Sequence, residues 1–215
     1  MLSPADHNLF PLLDYAGVAV FAATGALAAA RKGYNIVTFC FFAAVTGVGG
    51  GTLRDLLIGA PVFWVKDAGY IAVCLAAAGA VWATGGRRWR YPLLLWLDAI
   101  GLAAYAVLGA AKAGRYDVPP LVAIVMGVLS ASFGGIVRDT LAMEPSVLLK
   151  REIYISAAAL GAGVFVLASL LRLDSYLAGG LGIAAAFALR AGALAFGWSL
   201  PGFRPAEERE GQEHP

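Results

Sequence analysis

One short pattern occurs twice in this chain, each time near the end of a long apolar segment. The copies are Gly49-Gly50-Gly51-Thr52-Leu53-Arg54-Asp55 and Gly134-Gly135-Ile136-Val137-Arg138-Asp139. Glycines followed by two adjacent opposite charges are costly inside a bilayer, where every polar group needs a partner. Glycine clusters and charges within a membrane-spanning segment are typical of a transport pathway, so both copies are candidate functional sites.

Both copies belong to a longer internal repeat. When the sequence is aligned with itself without gaps so that Asp14 falls on Asp98, Arg54-Asp55 falls on Arg138-Asp139. We call this alignment the repeat shift. The same shift aligns further residues that chance would not bring together: Gly17 with Gly101, Gly25 with Gly109, Gly50-Gly51 with Gly134-Gly135, Pro61 with Pro145, and Tyr70-Ile71 with Tyr154-Ile155. Because this period exceeds that of common solenoid repeats, the repeating unit is a module of several helices.

The composition predicts an integral membrane protein. Hydrophobic residues make up 60% of the 215 positions and charged residues 14%, with a mean hydropathy of +0.75. A soluble domain of this size cannot bury so much apolar surface. The net charge of +2 and the lack of a basic tract argue against nucleic acid as a partner. The two histidines lie near the termini and form no cluster with cysteine, so we expect no metal site and no cofactor.

Seven stretches are long and apolar enough to cross a bilayer, which requires about 20 residues each. The period-2 alternation of a β-barrel is absent. The predicted spans are Asp14 to Ala30, Ile36 to Ile58, Ala68 to Thr84, Pro92 to Ala111, Pro119 to Ala142, Glu152 to Leu171 and Tyr176 to Trp198. The sequence therefore predicts one all-α transmembrane domain over residues 1–198 and a cytoplasmic tail over 199–215.

Each repeat contains three spans, and an odd number has a topological consequence. A module that crosses three times is followed by a copy that inserts upside down, which gives an inverted repeat. We expect repeat one at about residues 14–86, repeat two at about 98–171, and an additional helix at about 176–198.

The distribution of basic residues predicts the orientation. Most of them flank one side of the spans: Arg31, Lys32, Arg87, Arg88, Arg90, Lys150, Arg151, Arg204 and Arg209. Fewer flank the other side: Lys66, Lys112, Arg115 and Arg172. The positive-inside rule then places the N-terminus outside and the C-terminus in the cytoplasm, in the inner (plasma) membrane.

The glycine clusters lie at corresponding depths of the second and fifth spans. Glycine permits a kink and exposes carbonyl groups, which are tolerated at that depth where they line a hydrated path. The predicted pore or kink residues are Gly49, Gly50, Gly51, Gly134 and Gly135. The alternative is that glycine only lets helices approach closely, as in small-residue packing motifs. We expect leucine at Gly50 or Gly135 to impair conduction more than assembly.

The charged pairs have two interpretations as well. Adjacent residues on a helix point about 100° apart, so we expect each arginine to pair with a carboxylate on another helix. The candidate pore-associated charges are Arg54, Asp55, Arg138, Asp139, Asp14 and Asp98. In the alternative, they lie in the headgroup zone and anchor the protein. Arg190, within the last span, is expected to extend toward the headgroups and to have a structural role.

These motifs together resemble a known family, the prokaryotic trimeric intracellular cation channels, also described as a glycine transporter family. The resemblance extends from Asp14 to Pro201. It rests on the two glycine and Arg-Asp motifs, on Pro61-Val62-Phe63-Trp64, Pro145 and Arg151-Glu152-Ile153-Tyr154, and on Arg190 with Trp198-Ser199-Leu200-Pro201. Phe133 aligns with Gly49, so we expect the two halves of the path to differ in width.

The resemblance implies seven helices, a homotrimer and one ion pathway within each subunit. It also implies that monovalent cations such as potassium or sodium permeate, with membrane lipid as the other partner. The second and fifth helices would form the pathway, with the first and fourth alongside.

Three classes of function follow, in order of expectation. The first is a passive cation channel, and the second is a secondary transporter for a small solute such as glycine, for which the same architecture is suitable. The potassium-filter sequence Thr-Val-Gly-Tyr-Gly is absent, so carbonyl-filter selectivity is not expected. The third class, an enzyme or a scaffold, is disfavoured because the spans contain no nucleophile paired with a base.

Overall fold

The computed structural model describes residues 6–84, 90–146 and 153–200, which are almost entirely helical. The helices in this part of the chain are α1 Asp6–Lys32, α2 Ile36–Leu57, α3 Phe63–Lys66, α4 Gly69–Ala83, α5 Arg90–Gly114, α6 Pro120–Leu141, α7 Ile155–Leu170 and α8 Ser175–Phe196. Every predicted span coincides with one of them. The difference is α3, a helix of 4 residues that the sequence analysis did not predict.

Five of these helices are long and apolar enough to span a membrane, namely α1 from Leu12, α2, α5 from Tyr91, α6 and α8. The other two apolar helices are shorter, at 15 residues for α4 and 16 for α7. The molecule is therefore an all-helical membrane protein. Some of the predictions fall on residues outside the described ranges, among them most of the tail and the basic residues Arg87, Arg88, Lys150, Arg151, Arg204 and Arg209.

Local sequence signals determine where several helices begin and end. Asn35 caps α2, because its side chain accepts a hydrogen bond from the Thr38 amide at 3.0 Å. Pro120 begins α6 at a position where a helix needs no backbone N–H. Gly197 ends α8 with φ of 68°, a left-handed conformation that favours glycine.

Alanines fill much of the interior, and many large apolar side chains face outward. The buried core contains many alanines, including Ala22, Ala26, Ala106, Ala131 and Ala162. Large apolar side chains such as Leu121, Leu167 and Phe196 are mostly exposed. This pattern is typical of helices in lipid, where close backbone approach supplies the packing energy. In this packing α5 contacts α1, α6, α7 and α8, while α2 contacts α1, α4 and α6.

Candidate functional site

The two glycine clusters meet where α2 crosses α6. A Cβ atom added at Gly50 would overlap the carbonyl oxygen of Ser130, and one added at Gly134 would overlap that of Thr46. At Gly49 an added Cβ would lie 3.7 Å from the Gly134 Cα, an ordinary contact. Both helices are continuous through their glycines. Gly50 and Gly134 therefore allow the backbones of α2 and α6 to touch directly.

This contact is reciprocal under the repeat shift. Gly50 faces Ser130 and Gly134 faces Thr46, and the shift converts each pair into the other. The same holds between α1 and α5, where Gly17 packs on Tyr105 and Gly101 packs on Phe21. In each case the residue number rises along one helix as it falls along the other, so the paired helices are antiparallel at the contact.

The first charged pair forms a buried cluster around Asp55, the Asp55 cluster. The Arg54 Nε donates to Asp55 Oδ1 at 2.8 Å, and the Lys112 Nζ lies 2.8 Å from both carboxylate oxygens. The backbone N–H of Phe63, the first residue of α3, donates to Oδ2 at 3.1 Å. The Phe63 ring also lies beneath both cations. Asp55 is fully buried, and this short helix therefore completes its coordination.

The second pair forms the Asp98 cluster. The Arg138 Nη1 donates to Asp98 Oδ1 at 2.7 Å and to the Thr24 hydroxyl at 3.0 Å, while its Nε donates to Asp139 at 2.8 Å. The Tyr154 hydroxyl lies close to this cluster, while Asp98 Oδ2 accepts no hydrogen bond from the described residues. Gly135 lies beside these groups, since a Cβ there would be 3.1 Å from the Tyr154 hydroxyl oxygen.

Asp14 is not bonded to either arginine by any of the described hydrogen bonds. Its Oδ1 accepts from the Tyr105 hydroxyl at 2.9 Å, and its Oδ2 accepts from the Tyr70 hydroxyl at 3.1 Å. The Tyr70 ring stacks on Tyr15, whose hydroxyl donates to Asp67 in the segment before α4. That hydrogen bond, together with one from a backbone amide, lowers the pKa of Asp67 below its ordinary value.

The charged pairs lie inside the helix bundle and not on its outer surface. Arg54 and Arg138 are 1% and 0% exposed, and Asp55, Asp98 and Asp139 are buried as well. Of the candidate charges, only Asp14 is partly exposed. Isolated ions in this environment would be prohibitively costly, which is why each has a partner of opposite charge or several hydrogen bonds.

Two expectations about arginine require correction. Arg54 pairs with its own neighbour Asp55, although we expected a partner on another helix; Asp14 instead accepts two tyrosine hydroxyls. Arg138 does pair across helices, with Asp98, but it bonds its neighbour too. Arg190 does not extend to the headgroups: it is fully buried and lies 5.1 Å from the centre of the Tyr154 ring.

Sequence reasoning missed the role of Lys112, which it counted among the basic residues at the outer surface. In the structure its side chain is 27% exposed and its ammonium group lies against Asp55. A signal was present, because the repeat shift places Lys112 on Ala28. Because Ala28 carries no charge, the two halves of the bundle differ at this position.

The fold and site define a class of protein: a bundle of apolar helices in which two charge clusters are buried beside a glycine-mediated helix crossing. The glycine transporter family profile matches this chain twice, at residues 11–85 and 95–169. The two matches are themselves related by the repeat shift. The chain belongs to this family.

Relatives and solved structures agree. A UPF0126 membrane protein of Vibrio cholerae is 37% identical over 201 residues, covering 92% of this chain and 84% of the relative. The inner membrane protein YadS of Escherichia coli K12 is 39% identical over 155 residues, covering 69% of this chain and 73% of the relative.

Among solved structures, the trimeric intracellular cation channel orthologue from Rhodobacter sphaeroides is 48% identical with a TM-score of 0.85, covering 88% of this chain and 99% of that one. A second structure of a cation channel of the same kind is 30% identical with a TM-score of 0.80, covering 91% and 98%. The resemblance drawn from the sequence motifs is thus confirmed.

Proposed function

We propose that this protein is a cation channel of the inner membrane. The observation that carries the proposal is the pair of buried charge clusters on either side of the α2–α6 crossing. Buried ionisable groups that face a bundle interior mark ion or solute pathways, since packing alone does not repay their desolvation. The likeness to a solved cation channel orthologue, at 48% identity over 88% of the chain, supports the same function.

The pathway is formed by two inverted halves within seven spans. The reciprocal contacts Gly50–Ser130 and Gly134–Thr46 support this arrangement, as do Gly17–Tyr105 and Gly101–Phe21. Antiparallel pairing of equivalent helices is what a two-fold axis in the membrane plane produces. In this arrangement α4 and α7 are the third span of each half, α8 is the additional helix, and the N-terminus lies outside.

The α2–α6 crossing is the constriction of the path. Gly50 and Gly134 there lie against opposing carbonyl groups, so no ion passes between the two backbones in this conformation. Conduction requires the helices to separate or bend, for which glycine is the least restrictive residue. On this proposal, the conformation in which the two backbones touch is the closed one.

The permeating ions are monovalent cations such as potassium, and each subunit of a homotrimer contains its own path. The charge clusters that line this path come from helices of a single chain, which supports a separate path in each subunit. The solved orthologue is described as a trimeric channel.

Tandem-linked trimers test the number of paths. One linked subunit carrying Gly135→Leu should remove about a third of the current, because the nearest atoms to the added Cβ belong to the side chains of Tyr154, Arg138 and Asp98 and the leucine obstructs the space among them. The measurement is macroscopic current per assembled trimer, with three unmodified linked subunits as the control. Loss of all current would mean a single shared pore.

A second candidate is a carrier for a small zwitterion such as glycine. The description of the matching family favours it, and inverted repeats are common in carriers. The decisive experiment compares purified protein in planar bilayers and in liposomes loaded with labelled glycine. We expect discrete current steps in potassium chloride and no glycine counterflow. Counterflow without current steps would establish the carrier and reject the channel.

A further inference from the structure

The two halves of the bundle hold their arginines differently, although the residues around them correspond. Arg138 in the second half bonds Asp98, which lies on another helix, at 2.7 Å. Arg54 is the equivalent residue in the first half, and Asp14 is the equivalent of Asp98. Yet the Arg54 guanidinium bonds Asp55 at 2.8 Å and leaves Asp14 to other donors. Some side chain near Asp14 must account for this difference.

Among the side chains that bond Asp14, Tyr105 is the one that differs between the halves. Asp14 accepts hydroxyl groups from Tyr70 and Tyr105, at 3.1 and 2.9 Å. Tyr70 has a counterpart in Tyr154, whose hydroxyl also lies near the Asp98 cluster. Tyr105 has none: the repeat shift places it on Phe21, which has no hydroxyl. Tyr105 thus bonds Asp14 Oδ1, whereas in the other half the corresponding oxygen, Asp98 Oδ1, accepts from Arg138.

Arg54 is close enough to be affected by this competition. The centre of the Phe63 ring lies 6.0 Å from the Arg54 guanidinium carbon and 4.6 Å from the centre of the Tyr70 ring. The Tyr70 hydroxyl in turn donates to Asp14. Tyr105 is 1% exposed, so its hydroxyl is held on Asp14 and away from water. Loss of this donor would leave Asp14 Oδ1 available to a nearby cation such as Arg54.

We propose that Tyr105 is a positioning residue that keeps Arg54 on Asp55 by occupying Asp14. This proposal rests on the proposed channel function and adds a property to it. With inverted halves, identical electrostatics would make conduction equal in both directions. The hydroxyl of Tyr105 makes the first half differ from the second, so the channel rectifies in symmetrical salt.

The test is the current–voltage relation of purified channels of known orientation in equal potassium chloride on both sides. We expect the wild-type protein to rectify and Tyr105→Phe to move the ratio of inward to outward current toward 1. The background Asp14→Asn is the matched control, because its neutral amide no longer attracts Arg54. Adding Tyr105→Phe to Asp14→Asn should leave the ratio where Asp14→Asn alone puts it.

An exchange of the two aromatic residues gives a second variant. Tyr105→Phe combined with Phe21→Tyr transfers the hydroxyl to the half that contains Asp98, in a ring position that already contacts Gly101. We expect the current ratio to change further in the direction that Tyr105→Phe alone produces. A ratio equal to that of Tyr105→Phe would mean that the hydroxyl has no effect in the second half, and this overturns the proposal.

A measurement that does not depend on conduction separates this proposal from the channel function. A double-mutant cycle between Arg54→Ala and Asp14→Asn on thermal unfolding should be additive in the wild-type protein and non-additive in Tyr105→Phe. Additivity in both backgrounds overturns the positioning role even if the protein conducts. A wild-type protein that conducts without rectification also overturns the proposal for Tyr105. If the protein does not conduct but the cycle is non-additive in Tyr105→Phe, the channel function is rejected and the positioning role of Tyr105 stands.

Discussion

Alanine at Gly50 or Gly134 should strongly destabilise the protein, whereas alanine at Gly49 should be tolerated. The first two Cβ atoms would overlap backbone carbonyl oxygens of the opposing helix, which cannot rotate away as a side chain does. Overpacking of this kind costs about 1–3 kcal/mol and more where the backbone must move. At Gly49 the nearest atom is 3.7 Å away, and alanine improves helix propensity by up to about 1 kcal/mol.

The difference in stability is measured as the melting temperature in detergent, with size-exclusion chromatography as the readout of assembled protein. Gly49→Ala is the matched control, because it lies one residue away on the same helix and carries the same added methyl group. The sequence alone predicts that substitution of Gly50 harms conduction more than assembly; the backbone contact predicts that assembly suffers first. Equal melting temperatures for Gly49→Ala and Gly50→Ala would show that α2 and α6 do not touch as described.

The helices could be predicted from sequence because each one is a long apolar run bounded by glycine, proline or charge. The glycine motifs and the repeat shift also indicated which segments correspond. The short helix α3 could not be predicted in this way, since 4 residues are too few for a periodic signal. Its function is nevertheless local and specific, because the amide of Phe63 at its start bonds Asp55.

The arginines and aspartates of the charge clusters could be predicted, but Lys112 and the pairing of the charges could not. A repeat in sequence suggests that Arg54 and Arg138 have equivalent partners, and the structure gives them different ones. The difference arises from single side chains that the motif does not include: Tyr105 opposite Phe21, Thr24 opposite Leu108, and Lys112 opposite Ala28. Which oxygen accepts which donor depends on distances in three dimensions, and residue spacing alone does not supply them.

Arg138→Ala should be considerably more destabilising than Arg54→Ala, although the two arginines are equivalent in sequence. Removing Arg138 leaves the fully buried Asp98 without the cation that it bonds. Loss of one partner from a buried ion pair costs about 3–5 kcal/mol. Removing Arg54 costs less, because Asp55 keeps the Lys112 ammonium and the Phe63 amide, at 2.8 and 3.1 Å.

The comparison uses melting temperature and trimer content for Arg54→Ala, Arg138→Ala and the double variant Arg138→Ala with Asp98→Asn. The double variant should recover part of the loss, since the asparagine removes a buried negative charge that has no cation left. Lys112→Ala provides the reciprocal control: combined with Arg54→Ala it removes both cations from Asp55, and the pair should then be as destabilising as Arg138→Ala alone. If Arg54→Ala by itself proved the more damaging change, the coordination of Asp55 by Lys112 would have to be abandoned.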